Sequence, residues 1–124
     1  MSWLFMNDYV HVLEDVDCYE QPKNSWECSA TWNYGPMLRK IAEMSDMEGI
    51  HPDKHLKSIS NCNNVTAGEV IFKFWTIALQ NRDILEDLEP ENGWGTYEQL
   101  CELLQDMHIR NTRCLSTNFV WNIY

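Results

Sequence analysis

Phe119-Val120-Trp121-Asn122-Ile123-Tyr124 decides the fold class. Phe119, Trp121 and Ile123 fall on one side of an extended chain and Val120, Asn122 and Tyr124 on the other. That period of two belongs to a strand, not a helix. Residues 3–13 mix apolar and polar positions without helical period, and Tyr9, Val10, Val12 and Leu13 predict another strand. Residues 26–33 alternate loosely through Trp26, Cys28, Ala30 and Trp32, and predict a further extended segment. Strands near the two ends of the sequence can pair side by side, with the intervening helices packed on one face. The expected fold is α+β, a small single domain over residues 1–124 in which the terminal strands form a small sheet covered by about three helices.

The helices announce themselves by periodicity and caps. Gly35-Pro36 is a breaker followed by a helix start, since proline suits the first helical turn, and Met37, Leu38, Ile41 and Met44 or Met47 extend it over about 36–46. Residues 48–64 are irregular, punctuated by Gly49, Pro52 and Asn61-Cys62-Asn63-Asn64, with Leu56 and Ile59 anchoring one short turn. Thr66-Ala67-Gly68-Glu69 matches a capping box before the strongest stripe, Ala67, Val70, Ile71, Phe74, Trp75, Ile77 and Ala78, which predicts a central helix over 67–82. Ile84, Leu85 and Leu88 make a short turn toward Pro90. A second box, Thr96-Tyr97-Glu98-Gln99, opens a helix over 97–109 carrying Leu100, Cys101, Leu103, Leu104 and Met107, with Asn111 as a left-handed terminator.

The net charge is −10, from 19 acids against nine bases, which disfavours direct binding to a nucleic-acid backbone. The same charge suits a basic protein partner. The acidic stretches are 14–20 and 83–91; the latter holds Asp83, Glu86, Asp87, Glu89 and Glu91, an array able to imitate phosphates in a basic groove. Cysteines at 18, 28, 62, 101 and 114 form no C-x-x-C, and their odd number fits a reducing cytoplasm better than a disulfide framework. The run Trp3-Leu4-Phe5-Met6 is too short for a signal sequence, and no stretch reaches the roughly 20 apolar residues of a membrane span.

Six tryptophans and five tyrosines are many for such a chain, so some rings are expected in clefts or interfaces. Two polar-aromatic segments stand out. Thr31-Trp32-Asn33-Tyr34 offers a hydroxyl, an indole, an amide and a phenol. An amide reads a nucleobase edge, and a ring stacks on its face. Asn92-Gly93-Trp94-Gly95 puts a tryptophan between glycines, where it either plugs the core or walls a cleft shared with the first segment. The expected ligand site is Thr31, Trp32, Asn33, Tyr34, Asn92 and Trp94. Arg39, Lys40 and the backbone N–H groups after Gly35 are the candidate phosphate donors.

Other chemistry is thinly supplied. His51 and His55 have the i, i+4 spacing of two metal ligands, but Pro52 disturbs that turn and no glutamate follows the first histidine. Cys28 and Cys62 have no base or orienting group placed by spacing. No catalytic residue, cofactor or metal site is expected, and the chain is read as non-enzymatic.

From Glu27 to Trp121 the chain resembles a family of small uncharacterised proteins of bacteriophages and prophages. In that family a segment of the type N-x-T-Y/H-N leads through a small breaker to a helix opening with methionine. Here Thr31, Asn33 and Met37 match, while Ser29 replaces the usual asparagine and Trp32 the tyrosine or histidine. The family's second motif, an N-G-W-G turn after a proline and before the last helix, reads Pro90-Glu91-Asn92-Gly93-Trp94-Gly95. The resemblance implies a setting: an accessory protein in an infected bacterial cell that antagonises host antiviral defence. Such proteins act in two ways. Some sequester a small nucleotide signal, often as homo-oligomers, and this is the function expected from the aromatic-polar pocket. Others, the anti-CRISPR type, bind a host nuclease directly, often through acidic surfaces, and Asp83, Glu86, Asp87, Glu89 and Glu91 would then carry the contact.

Overall fold

A computed structural model describes residues 1–9 and 25–124. The first strand, β1 (Ser2–Tyr9), starts earlier than Tyr9 and is flanked by β2 (Trp26–Thr31) and β4 (Phe119–Ile123); a two-residue β3 (Cys62–Asn63) completes a four-stranded sheet of order β2-β1-β4-β3. All three pairings are antiparallel, with Phe5 opposite both Cys28 and Ile123. The expected pairing of the strands from the two ends of the sequence is therefore the centre of the sheet. The positions Val10, Val12 and Leu13 and the acidic stretch 14–20 lie outside the described residues.

Among the described residues four α-helices accompany the sheet: α1 (Gly35–Ser45), α2 (Asn64–Gln80), α3 (Arg82–Glu86) and α4 (Tyr97–Arg113). The fold is α+β. Short 3-10 turns occupy Trp32–Tyr34 and His55–Ile59, the latter where Leu56 and Ile59 predicted one. Trp3, Phe5 and Asn7 of β1 and Trp121 and Ile123 of β4 point to the helix side and are buried. They meet Leu38 and Ile41 of α1, Ile71 and Phe74 of α2, and Leu100 and Leu104 of α4 in one core. Among the described residues, no helix is long and apolar enough to cross a membrane.

Two cap assignments change. The N-cap of α2 is Asn63, whose side chain accepts from the Thr66 N–H at 2.9 Å, rather than Thr66 itself. Cys62 and Asn63 pair with β4, so the chain leaves the sheet straight into the helix and reaches helical geometry three residues sooner. The Thr96 box holds as expected, Gln99 accepting from the Thr96 N–H at 3.1 Å and Thr96 Oγ1 from the Gln99 N–H at 3.2 Å. Asn111 does not terminate α4. It lies inside the helix, 2% exposed, donating from Nδ2 to the Asn64 carbonyl at 3.0 Å and accepting from Trp121 Nε1 at 2.8 Å.

Asn111 belongs to a buried polar knot. Asn7 Nδ2 donates to Asn64 Oδ1 at 2.6 Å, Arg110 Nε donates to Asn7 Oδ1 at 2.9 Å, and Asn64 Nδ2 reaches the Cys114 carbonyl at 2.9 Å. β1, α2, α4 and β4 are joined through these side chains. A methyl on Gly68 would come within 3.0 Å of Asn111 Nδ2, so α2 is bare where the amide crosses it. Replacing one member leaves several buried groups unpaired at once. Asn111→Leu is expected to lower unfolding free energy by about 2–4 kcal/mol in urea denaturation; a loss below about 1 kcal/mol would show that the amide is not needed.

Candidate functional site

The two polar-aromatic segments meet. Asn33 Nδ2 donates to the Trp94 carbonyl at 3.2 Å. The meeting depends on Gly95, buried with φ +82°: an added Cβ would sit 2.8 Å from Thr31 Cγ2, 3.2 Å from Asn33 Cβ and 3.3 Å from Tyr34 Cδ1. Asn92 Oδ1 accepts from the Trp94 N–H at 3.0 Å, tightening the turn, and the carboxamide of Gln99 accepts from Gly95 N at 3.0 Å. Thr31 Oγ1 accepts from the Asn33 N–H at 3.2 Å and so shapes the first segment in turn.

Beside this junction lies an open cleft of about 500 Å³ between β2 and α4. Its walls are Cys28, Ser29, Thr31 and Tyr34 on one side, Glu102, Leu103 and Asp106 on the other, with Trp94 and Gly95 at one end. Of the expected ligand residues, Thr31, Tyr34 and Trp94 line it. Trp94 is 71% exposed and so walls the cleft rather than plugging the core. Tyr34 is buried. Trp32 is half exposed and does not line the cleft, because the 3-10 turn at 32–34 turns it away while Tyr34 packs inward. Asn33 and Asn92 do not line it either; their amides are spent holding the junction.

The cleft is anionic. Glu102 and Asp106 supply charge, and among the described residues no lysine or arginine lines it. Burial pushes the Cys28 thiol up, and Asp106 pushes it further. Tyr34 is likewise raised by burial, with Cys28 and Glu102 adding to it. A thiol held protonated is a poor nucleophile. Sequence reasoning missed Glu102 and Asp106; their i, i+4 spacing places both on one face of α4, but nothing in that spacing says which face looks into a cleft.

The expected phosphate donors are elsewhere. Arg39 pairs with Asp53 at 3.6 Å and Lys40 with Glu43 at 3.6 Å. The start of α1 does not line the cleft. Of the acidic array, Glu86 pairs with Arg82 at 2.6 Å and Glu89 caps α4, accepting from the Tyr97 N–H at 2.7 Å. Asp83, Asp87 and Glu91 are exposed.

No protein family, curated protein or solved structure matches this chain. Among the described residues, no group of three or more His, Cys, Asp and Glu side chains could hold a metal ion. The His51–His55 pair diverges: His51 is exposed, while His55 is 5% exposed against Trp3, its ring centroid 4.9 Å away. His55 Nδ1 accepts from the Leu56 N–H at 2.8 Å, which requires the neutral ring. The four described cysteines are unpaired thiols.

Two outcomes follow from this geometry. Gly93 and Gly95 share a positive φ, but nothing lies within 4 Å of a Cβ at Gly93. Gly93→Ala should therefore cost about 1 kcal/mol for backbone strain alone, and Gly95→Ala about 2–3 kcal/mol, because the junction must also open. Equal costs in thermal denaturation would mean the close approach contributes nothing. For His55, burial first, then Lys57 and Arg39, lower the pKa from 6.5 to about 4. The unfolded chain then binds more protons between those values, so stability present above pH 6.5 is lost as pH falls toward 4. The expected loss attributable to His55 is on the order of 3 kcal/mol. An NMR titration giving His55 an ordinary midpoint would contradict it.

Proposed function

We propose that this chain is a non-enzymatic antagonist of host antiviral defence that binds a basic surface of a host nuclease through the cleft between β2 and α4. The setting comes from the resemblance of its two motifs to the phage and prophage family. The binding mode is supported above all by one observation: the cleft where those motifs meet is walled by Glu102 and Asp106 and, among the described residues, by no basic side chain. Its occupant is better met as a cation, with the exposed Trp94 ring able to cover a guanidinium or ammonium. Asp83, Asp87 and Glu91 add to the negative field and steer a basic partner.

The nucleotide reading fares less well. A phosphate in this cleft would face the Glu102 and Asp106 carboxylates with no lysine or arginine among the described lining residues, Asn33 is already engaged with the Trp94 carbonyl, and Trp32 lies off the cleft. Sequestration of a nucleotide signal is therefore an outcome of the test rather than the reading adopted.

The test is inhibition of DNA cleavage across a panel of purified CRISPR nucleases, with a parallel thermal-shift screen against cyclic mono-, di- and trinucleotides and ADP-ribose derivatives. Inhibition of at least one nuclease is expected, weakened about tenfold or more by Glu102→Lys with Asp106→Lys and by raised salt. A saturable upward shift with a nucleotide, or a double variant as potent as the wild type, would overturn the proposal.

A further inference from the structure

Resting on the cleft reading above, we infer that the partner enters as an extended basic peptide that adds a fifth strand along the outer edge of β2, with an arginine or lysine side chain lying between Glu102 and Asp106. Among the described residues β2 is the edge strand of the sheet, paired on one side with β1. The register tells which of its backbone groups look outward. Trp32 N donates to the Met1 carbonyl at 3.1 Å, and Ala30, Cys28 and Trp26 follow at every second position opposite Trp3, Phe5 and Asn7. In an antiparallel ladder alternate residues exchange both bonds with the neighbour, and those between them face away. The N–H and C=O of Glu27 and Ser29 therefore point out of the sheet. Among the described residues no backbone group bonds to them; the Ser29 carbonyl receives only a long contact from Cys28 Sγ, at 3.6 Å.

That edge borders the cleft. Cys28, Ser29 and Thr31 of β2 form one wall and Glu102, Leu103 and Asp106 of α4 the other. A strand laid against β2 would satisfy the outward groups of Glu27 and Ser29, and its alternate side chains would project toward α4. The charge decides the occupant. Glu102 and Asp106 across the cleft attract a cationic side chain, and Glu27, whose side chain lies on the other face of β2, adds to the negative field. The same three carboxylates disfavour a second copy of β2, since edge-to-edge pairing of two chains of charge −10 would bring these acids together. Trp94 at the end of the cleft offers the ring on which a guanidinium can stack. The acidic cleft thus contributes selectivity and the strand edge contributes backbone hydrogen bonds.

The experiment uses the full chain and three synthetic eight-residue peptides of alternating valine and threonine. One carries a central arginine, one a glutamate in its place, and one the arginine with backbone N-methylation on the edge that would face β2. Binding is followed by amide NMR. The arginine peptide is expected to shift and protect the Glu27 and Ser29 amides and to bind about tenfold or more tightly than the glutamate peptide; N-methylation should abolish binding. Ser29→Pro should do the same from the protein side, because an edge proline removes an outward donor and leaves the β1 ladder intact. Should that variant fail to fold, the N-methylated peptide on the wild type carries the test. Equal binding of the methylated peptide, with shifts confined to Trp94, Glu102 and Asp106, would overturn strand addition while leaving the cationic cleft standing. No binding of any peptide at millimolar concentration, or a homodimer in sedimentation that Ser29→Pro dissolves, would overturn it too. Inhibition of a nuclease by the wild type in the cleavage assay reports on the functional reading separately.

Discussion

Four elements of this protein are tied by one buried polar knot. Asn7, Asn64 and Asn111 are each at most 2% exposed, and each satisfies its amide on another element. Buried amides are costly when unpaired, so such a network admits essentially one arrangement of β1, α2, α4 and β4. Apolar contacts such as those of Phe5, Ile71 and Leu104 tolerate small slips. The hydrogen bonds of the knot do not. It sets where α4 lies over the sheet, and so where Glu102 and Asp106 stand relative to β2.

The cleft follows from that placement. α2 and α4 cover the centre of the sheet, where Phe5 and Trp121 are fully buried, and among the described residues β2 is left at the edge with Cys28 only partly covered. The loop before α4 closes one end. Gly95 brings it against Thr31, Asn33 and Tyr34, and Asn33 locks it through the Trp94 carbonyl. The residues of the two motifs therefore divide their labour. Asn33, Asn92 and Gly95 hold the junction, whereas Thr31, Tyr34 and Trp94 face the space it creates. A segment that reads as a ligand platform in one dimension is partly a brace in three.

Much of the fold was legible because its signals are local. The alternation of Phe119–Tyr124, the Gly35-Pro36 start and the Thr96–Gln99 box each rest on a few adjacent residues, and each appears in the structure. Thr66–Glu69 misled because Asn63, three residues earlier, competes for the same role and is held there by the sheet. Asn111 misled because an asparagine near a helix end usually serves the backbone, whereas here it bonds partners far away in sequence. Trp94 and Trp32 were equal candidates by composition; only the turn geometry at 32–34 separates them.

The sequence by itself determined the α+β class, the strand and helix periods, the −10 charge and the two segments that meet. These depend on composition and on neighbours within a helical turn or a strand repeat. Tertiary structure alone decided that the segments meet beside a cleft, that α4 turns Glu102 and Asp106 into it, and that Arg39 and Lys40 stay away. The physical reason is that the sign of a site depends on which faces of separate elements are turned together. That is set by the burial of distant side chains such as Asn7, Asn64 and Trp121, not by any local pattern.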